Sequence, residues 1–244
     1  MPARLAVALL LAAGLPGCIA YEYEHEFWLR VDGSGSVSIT GRPELWTAFK
    51  GLGRPEGPGA TATRVAARSL IERSSLRVRR VALTSRAGRP YLSVTADFDD
   101  VNRLSASAAF PDLHIALRRE GDRLRLEGRW QRPATAPTAA TRDDGGLLAV
   151  RFHLPSKVYD HQNAFAGVER GNIVGWRQEL RQGLAGEALD FGATLDRHSI
   201  LWSTVGLFGG AIALALAMLG TVLCFAFLKG KKKSTRRGTP GVCQ

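Results

Sequence analysis

Residues 200–228, ILWSTVGLFGGAIALALAMLGTVLCFAFL, carry no charged side chain and run well past the roughly 20 residues a helix needs to cross a bilayer. Inside hydrocarbon a lone segment satisfies its own backbone polar groups only as a helix. The stretch therefore reads as one transmembrane helix, and every other element must fit around it. Directly behind it stand Lys229, Lys231, Lys232, Lys233, Arg236 and Arg237, whereas Asp196, Arg197 and His198 in front of it nearly balance. Basic residues mark the cytoplasmic side. The expected arrangement is a single pass through the cytoplasmic membrane, with the N-terminal domain, 18–199, outside and a basic tail, 229–244, in the cytoplasm.

The start of the chain agrees with this orientation. In MPARLAVALLLAAGLPGC, Arg4 forms a basic beginning and residues 5–15 an apolar core too short to span, which is the pattern of an export signal occupying 1–17. It ends in Leu15-Pro16-Gly17-Cys18, which resembles the lipobox of bacterial lipoproteins. Cys18 is thereby expected to be the lipidated new N-terminus. The plainer reading is ordinary cleavage nearby, leaving an unpaired exposed thiol.

The formal charge of +11 suggests nucleic acid until it is divided along the chain. Arg4 and the six basic residues of the tail take seven of the 33 Lys and Arg, so residues 19–199 hold 26 against 22 Asp and Glu, a surplus of +4. The excess describes membrane orientation, and no nucleic-acid partner is expected. Cys18, Cys224 and Cys243 fall in three different compartments under this topology, so no pair makes an ordinary disulfide within the domain. An exported domain of this size must then be held by its core.

From Tyr21 the pattern has period two, with Tyr23, His25, Phe27, Leu29 and Val31 facing one way. DGSG at 32–35 supplies a hairpin turn before Val37 and Ile39; a strand rather than a helix follows, which excludes a phosphate loop. Pro43 opens a short helix with Leu45, Trp46 and Phe49, ended by Gly51. After a Gly- and Pro-rich loop, a second helix is expected over about 63–74. Hairpins follow at about 76–98 and 113–130, and between them Asp99 or Asp100 caps a short helix. Residues 132–146 form a loop by composition, and Leu148, Val150, Phe152 and Leu154 mark another strand. GN at 171–172 reads as a turn before a strand ending at Trp176. The last strand, with Leu189, Phe191, Ala193 and Leu195, leads almost directly into the span. The fold class is α+β: a twisted antiparallel sheet of about seven or eight strands covered by two or three short helices, plus the C-terminal transmembrane helix.

Catalytic groups do not gather in this pattern. His25, His114, His153, His161 and His198 form no HxxxH pair and no Cys/His cluster, and no GxSxG elbow is present, so no metal, no cofactor and no catalytic residue is expected. The most distinctive polar stretch is PSKVYDHQNAFAGVERGNIVGW at 155–176. It offers a candidate recognition loop built from Tyr159, His161 and Asn163, although Asn at a turn needs no functional reason. Within the span, Gly206 and Gly210 have the spacing that lets two helices approach closely, which would give a homodimer through the membrane; a monomer is the plainer reading, since glycine is common in such spans.

Cys18 at the end of a lipobox, the first strand pair around DGSGS, the GN-I-V-x-W strand and a span followed by lysines together resemble the LppM-type bacterial envelope lipoproteins. That resemblance implies an α+β extracytoplasmic domain fixed to the membrane, with a lipid or another envelope component as partner and no catalytic residue to carry over. The expected function is a binding or scaffolding module of the cell envelope, in contact with membrane lipid and an envelope protein or lipid ligand. The rivals are an acyl-chain carrier, which needs a connected apolar cavity, and an envelope hydrolase, which needs His, Asp and Ser converging in a cleft.

Overall fold

The opening alternation becomes β1 (Tyr23–Leu29), in which Tyr23, His25, Phe27 and Leu29 are buried and the intervening residues are not. A computed structural model describes residues 21–53, 59–74, 76–135, 145–198 and 200–234 of the chain. Cys18 and Cys243 lie outside them. β1 turns back into β2 (Gly35–Gly41) through Asp32, whose carboxylate accepts from the Ser34 amide at 3.0 Å and its hydroxyl at 2.7 Å, with Gly33 left-handed at φ +85°.

Helix α1 (Pro43–Lys50) follows, with proline in its first turn and the left-handed Gly51 as its cap. Helix α2 (Ala60–Glu72) starts three residues earlier than the sequence pattern indicated. The β3 (Arg77–Arg86) and β4 (Arg89–Phe98) hairpin turns through Ala87 and Gly88, both at positive φ, the primed turn whose twist matches the strands. Asp100 caps a 3₁₀ turn, Val101–Ala106, by accepting from the Asn102 amide at 2.9 Å. Then come β5 (Leu113–Glu120), β6 (Arg123–Trp130), β7 (Leu147–His153), β8 (Val158–Gln162), β9 (Phe165–Glu169), β10 (Ile173–Glu179), helix α3 (Leu180–Ala185), β11 (Leu189–Asp196) and helix α4 (Ile200–Ser234).

The α+β class and the C-terminal apolar helix are as expected, but the strands divide into two sheets. One has seven strands in the order β3-β4-β2-β1-β7-β10-β9, and the other has four in the order β5-β6-β11-β8. Alternation tells that a strand has one buried face and is silent on which sheet it joins. The larger sheet is also mixed: β1 lies parallel to β7, Phe27 opposite Phe152, because a long crossover separates them. The two inner faces meet through rings. Phe191 of β11 lies 5.6 Å from Phe152 and 5.5 Å from Trp176, and Trp130 of β6 lies 5.8 Å from Tyr23.

The chain divides after Arg197 into this folded unit and a second unit containing α4. Within α4, Thr204–Phe225 is long and apolar enough to cross a membrane, and none of it is covered by other residues.

Candidate functional site

The polar stretch 155–176 is more regular than its composition suggested. Tyr159 and His161 sit on strand β8, paired with the end of β11, and only Asn163 belongs to a turn. The expected recognition loop is thus largely a sheet edge. Ladder hydrogen bonds to β11 hold this polar segment extended, which local composition could not reveal.

β8 ends the smaller sheet and β9 ends the larger, so the chain changes sheets between Gln162 and Phe165. Asn163 at φ +55° makes the change of direction, and the Trp176 indole N–H pins it by donating to the Gln162 carbonyl at 2.5 Å. Further on, Ala166 and Gly167 are left-handed, and the register of β9 against β10 slips at Val174/Gly175. The hairpin into β10 turns through Arg170 and Gly171, both left-handed, one residue before the expected GN pair. Asn172 instead donates its side-chain amide to the Leu154 carbonyl at 2.9 Å.

This irregular edge exposes apolar side chains. Tyr159, Phe165 and Val168 are 48%, 41% and 36% exposed. Each ring has basic company: the Arg177 guanidinium lies 3.0 Å from the centre of Phe165, and Arg123 and Lys157 lie 4.8 Å and 5.4 Å from that of Tyr159. The Tyr159 hydroxyl donates to Asp196 at 2.8 Å, which holds its pKa above the ordinary value. Bulged and twisted, the β9 edge is a poor template for strand addition, so recognition here rests on side chains. His161 has its Nδ1 buried without a hydrogen-bond partner among the described residues.

Two open grooves mark the described surface. A groove of about 590 Å³ runs along Arg73, Leu76, Phe98, Asp99 and Asn102, and one of about 550 Å³ along His114, Glu127, Arg129 and Asp190. A dent beside Phe165, Arg177 and Trp176 measures about 20 Å³, room for one water. Between the sheets the space is filled by side chains such as Trp46, Trp130, Trp176, Phe27, Phe49 and Phe152, all essentially without solvent contact.

That filled interior contains a group of polar residues that the sequence pattern did not single out as a set. Lys50, the last residue of α1, places its Nζ 2.6 Å from Asp112 Oδ1, with both side chains wholly buried. Trp130 donates its indole N–H to Asp112 Oδ2 at 2.7 Å, and His25 Nε2 stands 3.8 Å from the same oxygen. Among the described residues, neither ring nitrogen of His25 nor the Tyr23 hydroxyl has a hydrogen-bond partner. Burial lowers the Lys50 pKa, against the pull of Asp112, and raises that of Asp112, against Lys50 and Trp130. Burial, helped by Lys50, also holds His25 neutral. A usable signal was present: Lys50 sits four residues after Trp46 on the apolar side of α1, and Asp112 sits between Phe110 and Leu113. The other histidines do not join this group. His153 bonds Glu26 at 2.8 Å and stacks on Trp28, and among the described residues no three His, Cys, Asp or Glu side chains converge as a metal site would need.

Gly206 and Gly210 lie on the uncovered surface of α4, where an added Cβ would meet nothing. Cys224 is exposed on the same helix.

No family model and no curated protein matches the chain. Among solved structures it is similar to the folded domain of the Mycobacterium tuberculosis LppM protein, determined by NMR, at 16% identity over 71% of this chain and 88% of that one, with a TM-score of 0.37. The lipoprotein type that the sequence motifs resemble is thus met again as a weak likeness, and one of this size carries no argument about function.

Proposed function

We propose that this protein is a membrane-anchored module of the cell envelope that binds or scaffolds another envelope component, held by α4 at one end and by an acylated Cys18 at the other. The observation that carries the choice is the filled interior. Rings from both sheets occupy the space where an acyl chain would have to lie, which supports a module acting through its surface over a carrier acting through a cavity. The polar group around Asp112 is sealed within the same core, so the hydrolase reading lacks an opening for substrate. The surface offered for recognition is the β8/β9 edge, where exposed aromatic side chains lie under basic ones, a combination favoured at the centre of protein interfaces.

A photo-crosslinker placed at position 165 of the full-length protein in growing cells should give a discrete protein adduct that is absent from a crosslinker at Thr61, while lipid extracted from the purified protein stays well below one molecule per chain. Extraction of a stoichiometric lipid, or equal adducts from both positions, would reject the reading.

A further inference from the structure

The Lys50–Asp112 pair is better arranged for reaction than for ionic attraction. Withdrawing two opposite charges from water is costly, and their attraction offsets that cost only when the remaining donors and acceptors are also satisfied. An ammonium has three N–H bonds to place. Among the described residues Lys50 makes one hydrogen bond, to Asp112, and its other near neighbour is the Phe110 ring, 4.0 Å from Nζ. The two side chains come from the end of α1 and the residue before β5, 62 positions apart, and are pressed together by Trp130, Phe110 and Tyr23.

From this geometry we propose that Lys50 and Asp112 are joined by an intramolecular isopeptide bond that the folded core forms on itself. The neutral amine of Lys50 attacks Cγ of the protonated Asp112 carboxyl. An Nζ–Cγ bond forms and one Cγ–O bond breaks. The departing oxygen leaves as water, taking the carboxyl proton and one proton from Nζ. The remaining oxygen becomes the amide carbonyl, placed to accept from the Trp130 indole N–H that already holds Oδ2. No oxidant, reductant or metal is consumed. Burial supplies what each step needs: it favours the uncharged amine and the uncharged acid, and once the water has left the same apolar walls exclude the solvent that would reverse the reaction. His25 gains a role that its two unpartnered nitrogens otherwise lack. A neutral imidazole 3.8 Å from Oδ2, with one nitrogen able to accept and the other to donate, can exchange a proton with that oxygen while the tetrahedral centre forms and collapses. The bond would cross-link a domain for which the sequence foresees no disulfide.

The test is peptide mass spectrometry on the full-length protein purified from membranes. Trypsin does not cut before Pro43 or Pro55, and an acylated Lys50 blocks cleavage at Gly51. The expected product is residues 31–64 joined to residues 104–118 at about 18 Da below the sum of the two peptides, the loss of one water. A peptide ending at a free Lys50, together with an unmodified 104–118, overturns the proposal. Lys50→Arg should abolish the linked species. Asp112→Asn should restore the same linked mass, with ammonia leaving in place of water. His25→Asn should slow linkage in a pulse-chase by roughly a hundredfold, the usual loss when a positioned proton carrier is removed. Linkage at the wild-type rate in His25→Asn would remove His25 from the reaction.

Discussion

Tyr91 shows how single contacts set the response of this domain to pH. Its hydroxyl donates to Glu22 at 2.8 Å, and burial together with that carboxylate pushes its pKa from 10.0 up to about 12. The folded value lies above the unfolded one, so the protonated form is favoured by folding. The stabilisation is therefore complete below pH 10.0 and disappears as the pH rises through about 12. Urea midpoints measured across that interval should fall more steeply for the wild type than for Tyr91→Phe, and parallel slopes would show that another group is responsible. Gly128 illustrates what a residue owes to its neighbours. A Cβ there would stand 2.3 Å from the Phe191 ring, so the ring of β11 lies directly over the glycine of β6 opposite it. The sequence marks Leu124, Leu126 and Trp130 as an apolar face but leaves position 128 blank, because the group that fills it comes from another strand.

Elements were legible in proportion to how strongly their own residues specified them. The β1–β2 hairpin, α1 and the β5–β6 hairpin follow from alternation, a proline start and a left-handed cap, all local signals. β8 and β9 were not legible, since their burial patterns show almost no apolar alternation and they are held extended by ladders to β11 and β10. α4 is specified by composition alone and offers an element-scale test. Gly206 and Gly210 stand one turn apart with space above both. If two copies pack through that face, Gly210→Ile should reduce crosslinking of the full-length chain in membranes by roughly tenfold, equivalent to about 1.4 kcal/mol of association. Unchanged crosslinking would assign the spacing to coincidence.

At the scale of the whole molecule, the proposal is a domain tethered at both ends on the outer face of a membrane. Spheroplasts from cells fed a labelled fatty acid test both tethers together. External protease should digest the 18–199 domain and spare an epitope placed after Gln244, and the label should be present in wild type and absent from Cys18→Ser. An intact domain with a lost epitope would place the domain in the cytosol, and equal label in both proteins would remove the acyl anchor. Both edges of the seven-stranded sheet are protected from self-association. β3 is studded with Arg77, Arg79, Arg80 and Arg86 and slips register at Val78/Arg80, while β9 is bulged.

What the sequence determined by itself were the properties that depend on neighbours along the chain: an apolar run long enough to span, the basic side of that run, the strands with one dry face, and the turns that need left-handed residues. Only the tertiary structure decided that the described strands close as two sheets, that β1 and β7 run parallel, and that Tyr159 and His161 stand on an edge strand rather than in a loop. It alone brought Lys50, Asp112, His25 and Trp130 together. The reason is physical. Burial and pairing between residues dozens of positions apart depend on how faces close on one another, and no local pattern of side chains records which distant face will arrive.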